Sequence, residues 1–217
     1  MGWTEKILRK KMKKLKRNFY NQPTLKVAQD LLGKFLVKKI GKNILSGKIV
    51  ETEAYVGPND LASHASHGKT TRTAPMFGPP GYAYVYLVYG LNYCFNIVTE
   101  GKNYPAAVLI RAIEPAEGVA SIIKNRNFNK KQNLKSKILN LKSLTNGPGK
   151  LCQALKIDKS LNNLDLTKNT LWFEDRGIKI KPSEIAATKR IGVDYAGKYK
   201  NKPWRFYLRG NPFVSKK

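Results

Sequence analysis

The stretch YAYVYLVYGLNYCFNIV, residues 82–98, constrains the fold more than any other part of the chain. It is the most apolar region, but Gly90, Asn92 and Asn96 punctuate it, so it reads as paired strands and not as a membrane span. Gly90 to Asn92 mark the turn of a hairpin. Tyr82, Tyr84 and Tyr86 alternate on one face, and Tyr89 and Tyr93 flank the turn. KFLVKKI and GKIVETEAYVG read as two more strands around a turn at residues 41–43. AAVLIRAIEP reads as a buried strand ended by Pro115, and LWFED, RGIKIKP, KRIGVDYAG and WRFYLRG as short strands with turns. QPTLKVAQDLLGK carries a helix signal, with Pro23 in the first turn and Gly33 as C-terminal cap. A short helix follows the turn in GPGKLCQALKI, and residues 117–145 begin as a helix and become a Lys/Asn-rich connector. There is no internal repeat and no alternation of βαβ units, so the expectation is α+β around one antiparallel sheet.

Charge narrows the partner. Lys and Arg number 41 against 14 Asp and Glu, a formal +27. Such a field attracts polyanions, and neutralising phosphates releases counterions, so salt-sensitive binding to nucleic acid is expected. Residues 6–17 concentrate this charge, with Leu8, Met12 and Leu15 at helical spacing, as a basic helix or a frayed arm. Cys94 and Cys152 are far apart in apolar surroundings and read as buried reduced thiols. With no apolar run at the N-terminus, a secreted protein is not expected. Neither a metal centre nor a cofactor is signalled.

Two clusters can carry chemistry. In IVETEAYVG, Glu51, Glu53 and Tyr55 alternate onto one strand face, the two carboxylates roughly 6.5 Å apart along the strand. This spacing allows an acid–base pair of a sugar hydrolase, one working carboxylate with a bystander, or a polar strand edge. Residues 57–81 form a long Gly/Pro/Ser/Thr-rich loop, of the kind that is usually functional or disordered, holding His64 and His67. H-x-x-H without a third ligand nearby does not make a metal site. Flat tyrosine rings at a hairpin tip stack nucleobases, and a bulky side chain can fill the gap left by an extruded base. GPGK at 147–150 lacks the spacing of a phosphate loop and reads as a turn before a helix N-terminus.

Six blocks in fixed order resemble the alkyladenine (3-methyladenine) DNA glycosylases of the alkylpurine type: LLGK, GKIVETEAYVGPNDLASHA, MFGPPGYAYVYLVYGLNYCFNIV, AAVLIRAIEPAEG, LTNGPGKLCQALKI, and RIGVDYAG with KPWRFYLRGNPFVS. The resemblance runs from about residue 19 to the C-terminus, leaving residues 1–18 as a basic arm before a catalytic domain over 19–217. It implies a single mixed α+β domain built on a curved antiparallel sheet, with peripheral helices and a protruding β-hairpin. Such a domain binds duplex DNA in the minor groove and flips a damaged purine into a pocket. Carried over by position, Glu53 matches the general base and Arg111 the arginine that helps hold the attacking water. Tyr55, His64 and Tyr86 match the walls around the flipped base. Asn96 matches the residue that crowds a guanine amino group, and Tyr89 matches the wedge inserted into DNA. Glu51 matches a glutamate without an assigned role.

The implied activity is hydrolysis of the N-glycosidic bond of 3-methyladenine, 7-methylguanine, hypoxanthine or ethenoadenine, by a monofunctional and monomeric enzyme without cofactor. Its partner would be damaged double-stranded DNA and not a membrane. Its place would be the cytoplasm or nucleoid of a prokaryote, or the nucleus of a eukaryote. The chemistry agrees: a cationic alkylpurine leaves without a general acid, so one carboxylate suffices. Two alternatives stand beside it, a nucleic-acid-binding protein without catalysis and a sugar hydrolase using Glu51 and Glu53.

Overall fold

The long strand β3, Asn43–Tyr55, organises the molecule, because three strands pair with it. The structure is a computed structural model and describes residues 12–127 and 141–216. β3 follows β2 (Phe35–Ile40) through a tight turn and pairs with it in full antiparallel register. β6 (Ala107–Glu117) covers its other edge, and β9 (Arg205–Leu208) takes over the first edge at Glu51–Glu53, where β2 has ended. The hairpin expected at residues 82–98 is present as β4 (Ala83–Val88) and β5 (Asn92–Val98), paired from Ala83↔Ile97 to Val88↔Asn92. With β1 (Lys13–Lys14), β7 (Leu171–Asp175) and β8 (Ile185–Thr188), the sheet runs β1-β7-β2-β3-β6-β5-β4, and β9 joins β3 to β8. All the named strand pairs are antiparallel, and few helices accompany them, so the fold is α+β as the pattern implied.

Helices pack on one face. α1 (Arg17–Tyr20) and α2 (Thr24–Asp30) lead into β2, and α2 buries Val27 and Ala28. The Thr52 hydroxyl donates to the Ala28 carbonyl at 2.8 Å, which locks β3 to α2. α3 (Val119–Asn125) follows β6, and α4 (Pro148–Ala154) has proline in its first turn, where a missing N–H costs nothing. Their apolar sides close the main core with Ile49, Val50, Ala54, Phe95, Ile97, Ile110 and Phe173. The other face of the tyrosine hairpin builds a separate small cluster: Tyr84, Val98 and Ala107 pack on Ala65 and Met76 from the 57–81 loop. That loop is ordered by two short 3₁₀ turns, His64–His67 and Ala74–Phe77. It leaves β3 at Gly57, whose φ of +65° and contact with the Tyr104 phenol leave no space for a side chain.

Four sequence expectations differ from the structure. Pro115 does not end its strand; β6 continues to Glu117, past the stretch that pairs with β5 and beside a register shift at Ser46/Gly47, where proline is tolerated. RGIKIKP forms no strand, and Ile180 instead packs on the main core. KRIGVDYAG is also not a strand but a loop over 189–196. Of the basic segment expected at 6–17, residues 6–11 lie outside the described residues. Lys13–Lys14 extend the sheet instead of continuing a helix, and Leu15 is buried. The connector expected after residue 127 lies outside the described residues up to 140.

Candidate active site

Glu51 and Glu53 are not a strand edge: both are fully buried. The pairing of β3 with β6 steps irregularly here. Ile49 faces Ile113 and Glu51 faces Ala112, leaving Val50 extra; Thr52 then faces Ile110, leaving Arg111 extra. Such bulges re-aim a side chain. Here the guanidinium of Arg111 comes between the two carboxylates: Nη1 donates to Glu53 Oε2 at 3.2 Å, and Nε lies 3.4 Å from Glu51 Oε1, an ionic contact outside hydrogen-bond geometry. Burial works against the charge of Arg111, but Glu53 and then Glu51 outweigh it and raise its pKa.

The two carboxylates then part company. Glu53 Oε2 also accepts from the Tyr55 hydroxyl at 2.9 Å, and Oε1 accepts from the Ile191 amide at 2.8 Å. Glu51 has a different set of partners. Its oxygens accept from Arg205 Nη1 at 2.8 Å and from the Ser215 amide and hydroxyl at 2.7 and 2.9 Å. Glu51 thus ties the C-terminal segment to β3, whereas three donors hold Glu53. A carboxylate offers about four acceptor positions, which leaves Glu53 one for a further donor such as a water.

Above Glu53 lies a cavity of about 550 Å³, within the range of small-ligand sites. Tyr55, His64, Tyr86, Asn96 and Arg111 line it, with Tyr89 at its rim. Glu53 itself does not line the wall; Tyr55, Arg111 and Ile191, which do, stand between it and the space. The structure therefore brings together all seven residues singled out in the sequence, six around the cavity and one just behind it. His67 is exposed and does not take part. A larger hollow of about 770 Å³ beside Phe19, Ile178 and Phe206 contains none of the seven.

The walls are largely aromatic, with the guanidinium groups of Arg72 and Arg111 among them. Tyr84 and Tyr86 lie 5.1 Å apart, and the His64 ring meets Tyr86 edge-on at 4.5 Å. Burial raises the phenol of Tyr55 well above its usual range, and does the same for Tyr86. Burial also pushes the Cys94 thiol up to about 11. His64 Nδ1 and the Tyr84 hydroxyl share a hydrogen bond of 2.9 Å. Burial, then the charge of Arg72, lowers the His64 pKa from 6.5 to about 4. Asn96 is fixed by donating its amide to the Tyr84 carbonyl at 3.1 Å. Tyr89, at the hairpin tip with φ +49°, is 94% exposed, the extreme among the large apolar side chains of the described residues.

The His64 shift has a measurable consequence. Between pH 6.5 and 4 the unfolded chain binds a proton at this residue that the folded chain refuses. Its contribution to stability is therefore lost as pH falls through that window. An NMR titration of the two imidazoles, assigned with His67→Asn, should give His64 a midpoint near pH 4; a midpoint near 6.5 would show an open, solvated ring.

Several site residues were not singled out in the sequence. Ile191, Gly192, Val193 and Tyr195 come from the 189–196 loop and line the cavity together with the hairpin. Behind that loop, Arg190 and Asp60 form a fully buried ion pair, with Nη1 to Oδ2 at 2.5 Å and Nη2 to Oδ1 at 2.8 Å. Both stretches stood inside blocks that carried the resemblance, but no spacing rule links residues 130 positions apart.

Comparison with known proteins gives the family. A family model described as methylpurine-DNA glycosylase (MPG) matches residues 18–212. A protein of Alkaliphilus oremlandii is 49% identical over 205 residues, covering 94% of this chain and 100% of its own length. One from Desulfitobacterium hafniense is 50% identical over 209 residues, covering 95% and 100%. A third, from Methanocella arvoryzae, is 48% identical over 203 residues, covering 94% and 96%. Each carries the name "Putative 3-methyladenine DNA glycosylase". The match spans every strand from β2 to β9 and every residue of the cavity wall, and the chain belongs to the methylpurine-DNA glycosylase family.

Proposed function

We propose that this DNA glycosylase turns alkylated and deaminated purines out of duplex DNA into the 550 Å³ cavity and releases them with a water activated by Glu53. The observation that carries the reading is the placement of Glu53: a buried carboxylate, fixed by three donors, directly behind the aromatic wall of a space large enough to admit a base. The water oxygen bonds to C1′ of the sugar as the C1′–N bond breaks, and the purine leaves with the bonding electrons. The water proton passes to Glu53, whose negative charge also steadies the oxocarbenium-like sugar. Arg111 keeps the carboxylate oriented through its bond to Glu53 Oε2.

The walls choose the leaving group. Neutral tyrosine faces attract a cationic purine by roughly 0.5–2 kcal/mol per contact. His64, neutral above about pH 5, adds no opposing charge. A base that is already cationic needs no acid, which fits a site where Glu51 is committed to Arg205 and Ser215. The same commitment removes the partner that a two-carboxylate sugar hydrolase needs. Tyr89 fills the gap left in the duplex, a reading supported by its projection into solvent from the hairpin tip. The test is base release from duplexes carrying a single 3-methyladenine, 7-methylguanine, hypoxanthine or ethenoadenine. Abasic sites should form with the alkylated purines. Binding without release from any of them would overturn the reading.

A further inference from the structure

We infer that the buried Arg190–Asp60 pair is a positioning device for the reacting carboxylate. It clamps the 189–196 loop so that the Ile191 amide is held against Glu53 and the Tyr55 ring is backed from behind. The inference rests on the role proposed above for Glu53.

A buried ion pair is not retained for stability, since apolar side chains of the same volume serve as well or better. Its geometry here suggests another use. The fork of Arg190 is held flat by two parallel bonds to Asp60, and Nη1 also donates to the Ala54 carbonyl at 2.8 Å, on the strand between Glu53 and Tyr55. The same guanidinium lies 4.8 Å from the Tyr55 ring centre and 5.1 Å from that of Trp204. Asp60 is fixed in turn by the amides of Val56 and Ala62, both at 3.1 Å, within the loop that leads to His64. One ion pair thus joins three segments: the end of β3, the 57–81 loop and the 189–196 loop. The peptide unit after Arg190 carries the amide that holds Glu53 Oε1 at 2.8 Å. With that oxygen pinned, the other stays turned toward Tyr55 and Arg111. An error of about 1 Å in a reacting group costs roughly 100-fold in rate, so the clamp acts on turnover more than on binding.

The test separates positioning from folding. The double variant Asp60→Asn with Arg190→Met removes both charges and leaves no unpaired ion. Arg190→Lys keeps the charge but loses the flat fork. Each is assayed well below its own melting midpoint, under single-turnover conditions at saturating lesion duplex, alongside the affinity for that duplex. We expect release to slow by about 30-fold in the double variant and about 10-fold in Arg190→Lys, with affinity within about threefold of the unmodified protein. Unchanged release in either folded variant overturns the positioning role, as does a loss confined to affinity. Absence of release by the unmodified protein would instead overturn the glycosylase reading itself, so the two failures are distinguishable.

Discussion

Replacing Glu53 with Gln is expected to slow base release by about 10³-fold while lesion DNA is still bound, because a general base contributes roughly 10²–10⁴-fold and nothing else in the site can replace it. The change is less benign than an isosteric swap suggests. Oε1 faces the Ile191 amide and Oε2 faces both the Tyr55 hydroxyl and Arg111, all of them able to donate. Whichever way the new amide is turned, its NH₂ meets an N–H donor, which costs about 1–3 kcal/mol of stability. The rate must therefore be read well below the melting midpoint. Glu51→Gln is the matched control. It too is fully buried and too loses charge-assisted bonds, to Arg205 and Ser215, so its melting midpoint should fall comparably. Its release rate should stay within about tenfold of the unmodified protein. Equal rate losses in the two variants would mean that Glu53 has no special role.

Arg111→Met should be the most damaging single change to the fold among the site residues. Two carboxylates with no exposure lie on the same strand face, and Arg111 contacts both. Without it, Glu51 retains Arg205, whereas Glu53 is left with a hydroxyl and an amide. Leaving a buried charge without its counterion costs about 3–5 kcal/mol. Release should fall by about 100-fold as well, since the carboxylate loses one of the donors that orient it. Arg111→Lys should recover part of both losses, because an ammonium keeps the charge but cannot reach two carboxylates with a flat fork. Denaturant melting and single-turnover release, measured on the same samples, give the two numbers. A fully stable, fully active Arg111→Met protein would contradict the bridging role.

The strands were legible where alternation was strict and the turn chemistry explicit. The tyrosine hairpin and the strand carrying Glu53 appear where the pattern placed them. Alternation misled at RGIKIKP, because two isoleucines in a loop that packs on the core obey the same period as a strand. It was silent at Arg111, since a bulge is a property of two paired strands and leaves no mark on either alone. The site residues named in the sequence came from the family resemblance, and geometry now supplies what that could not: the asymmetry between Glu51 and Glu53. Asp60 and Arg190 escaped for a statistical reason. Among 41 basic side chains and 14 acidic ones, composition does not say which cation an acid will meet.

The paired irregularities in β3 and β6 make the site a matter of counting. Val50 is one residue too many on its strand and Arg111 one too many on the other, and the surpluses cancel, so that Glu53 again faces Leu109 and Tyr55 faces Ala107. A deletion in β3 alone would shift the register by one and exchange the faces of every β3 residue beyond it, turning Tyr55 toward the core and Ala54 toward the cavity. A deletion in both would restore the register but remove the cation between the carboxylates. Length changes in this part of the chain are thus closed to gradual drift: the two extra residues can only be kept together.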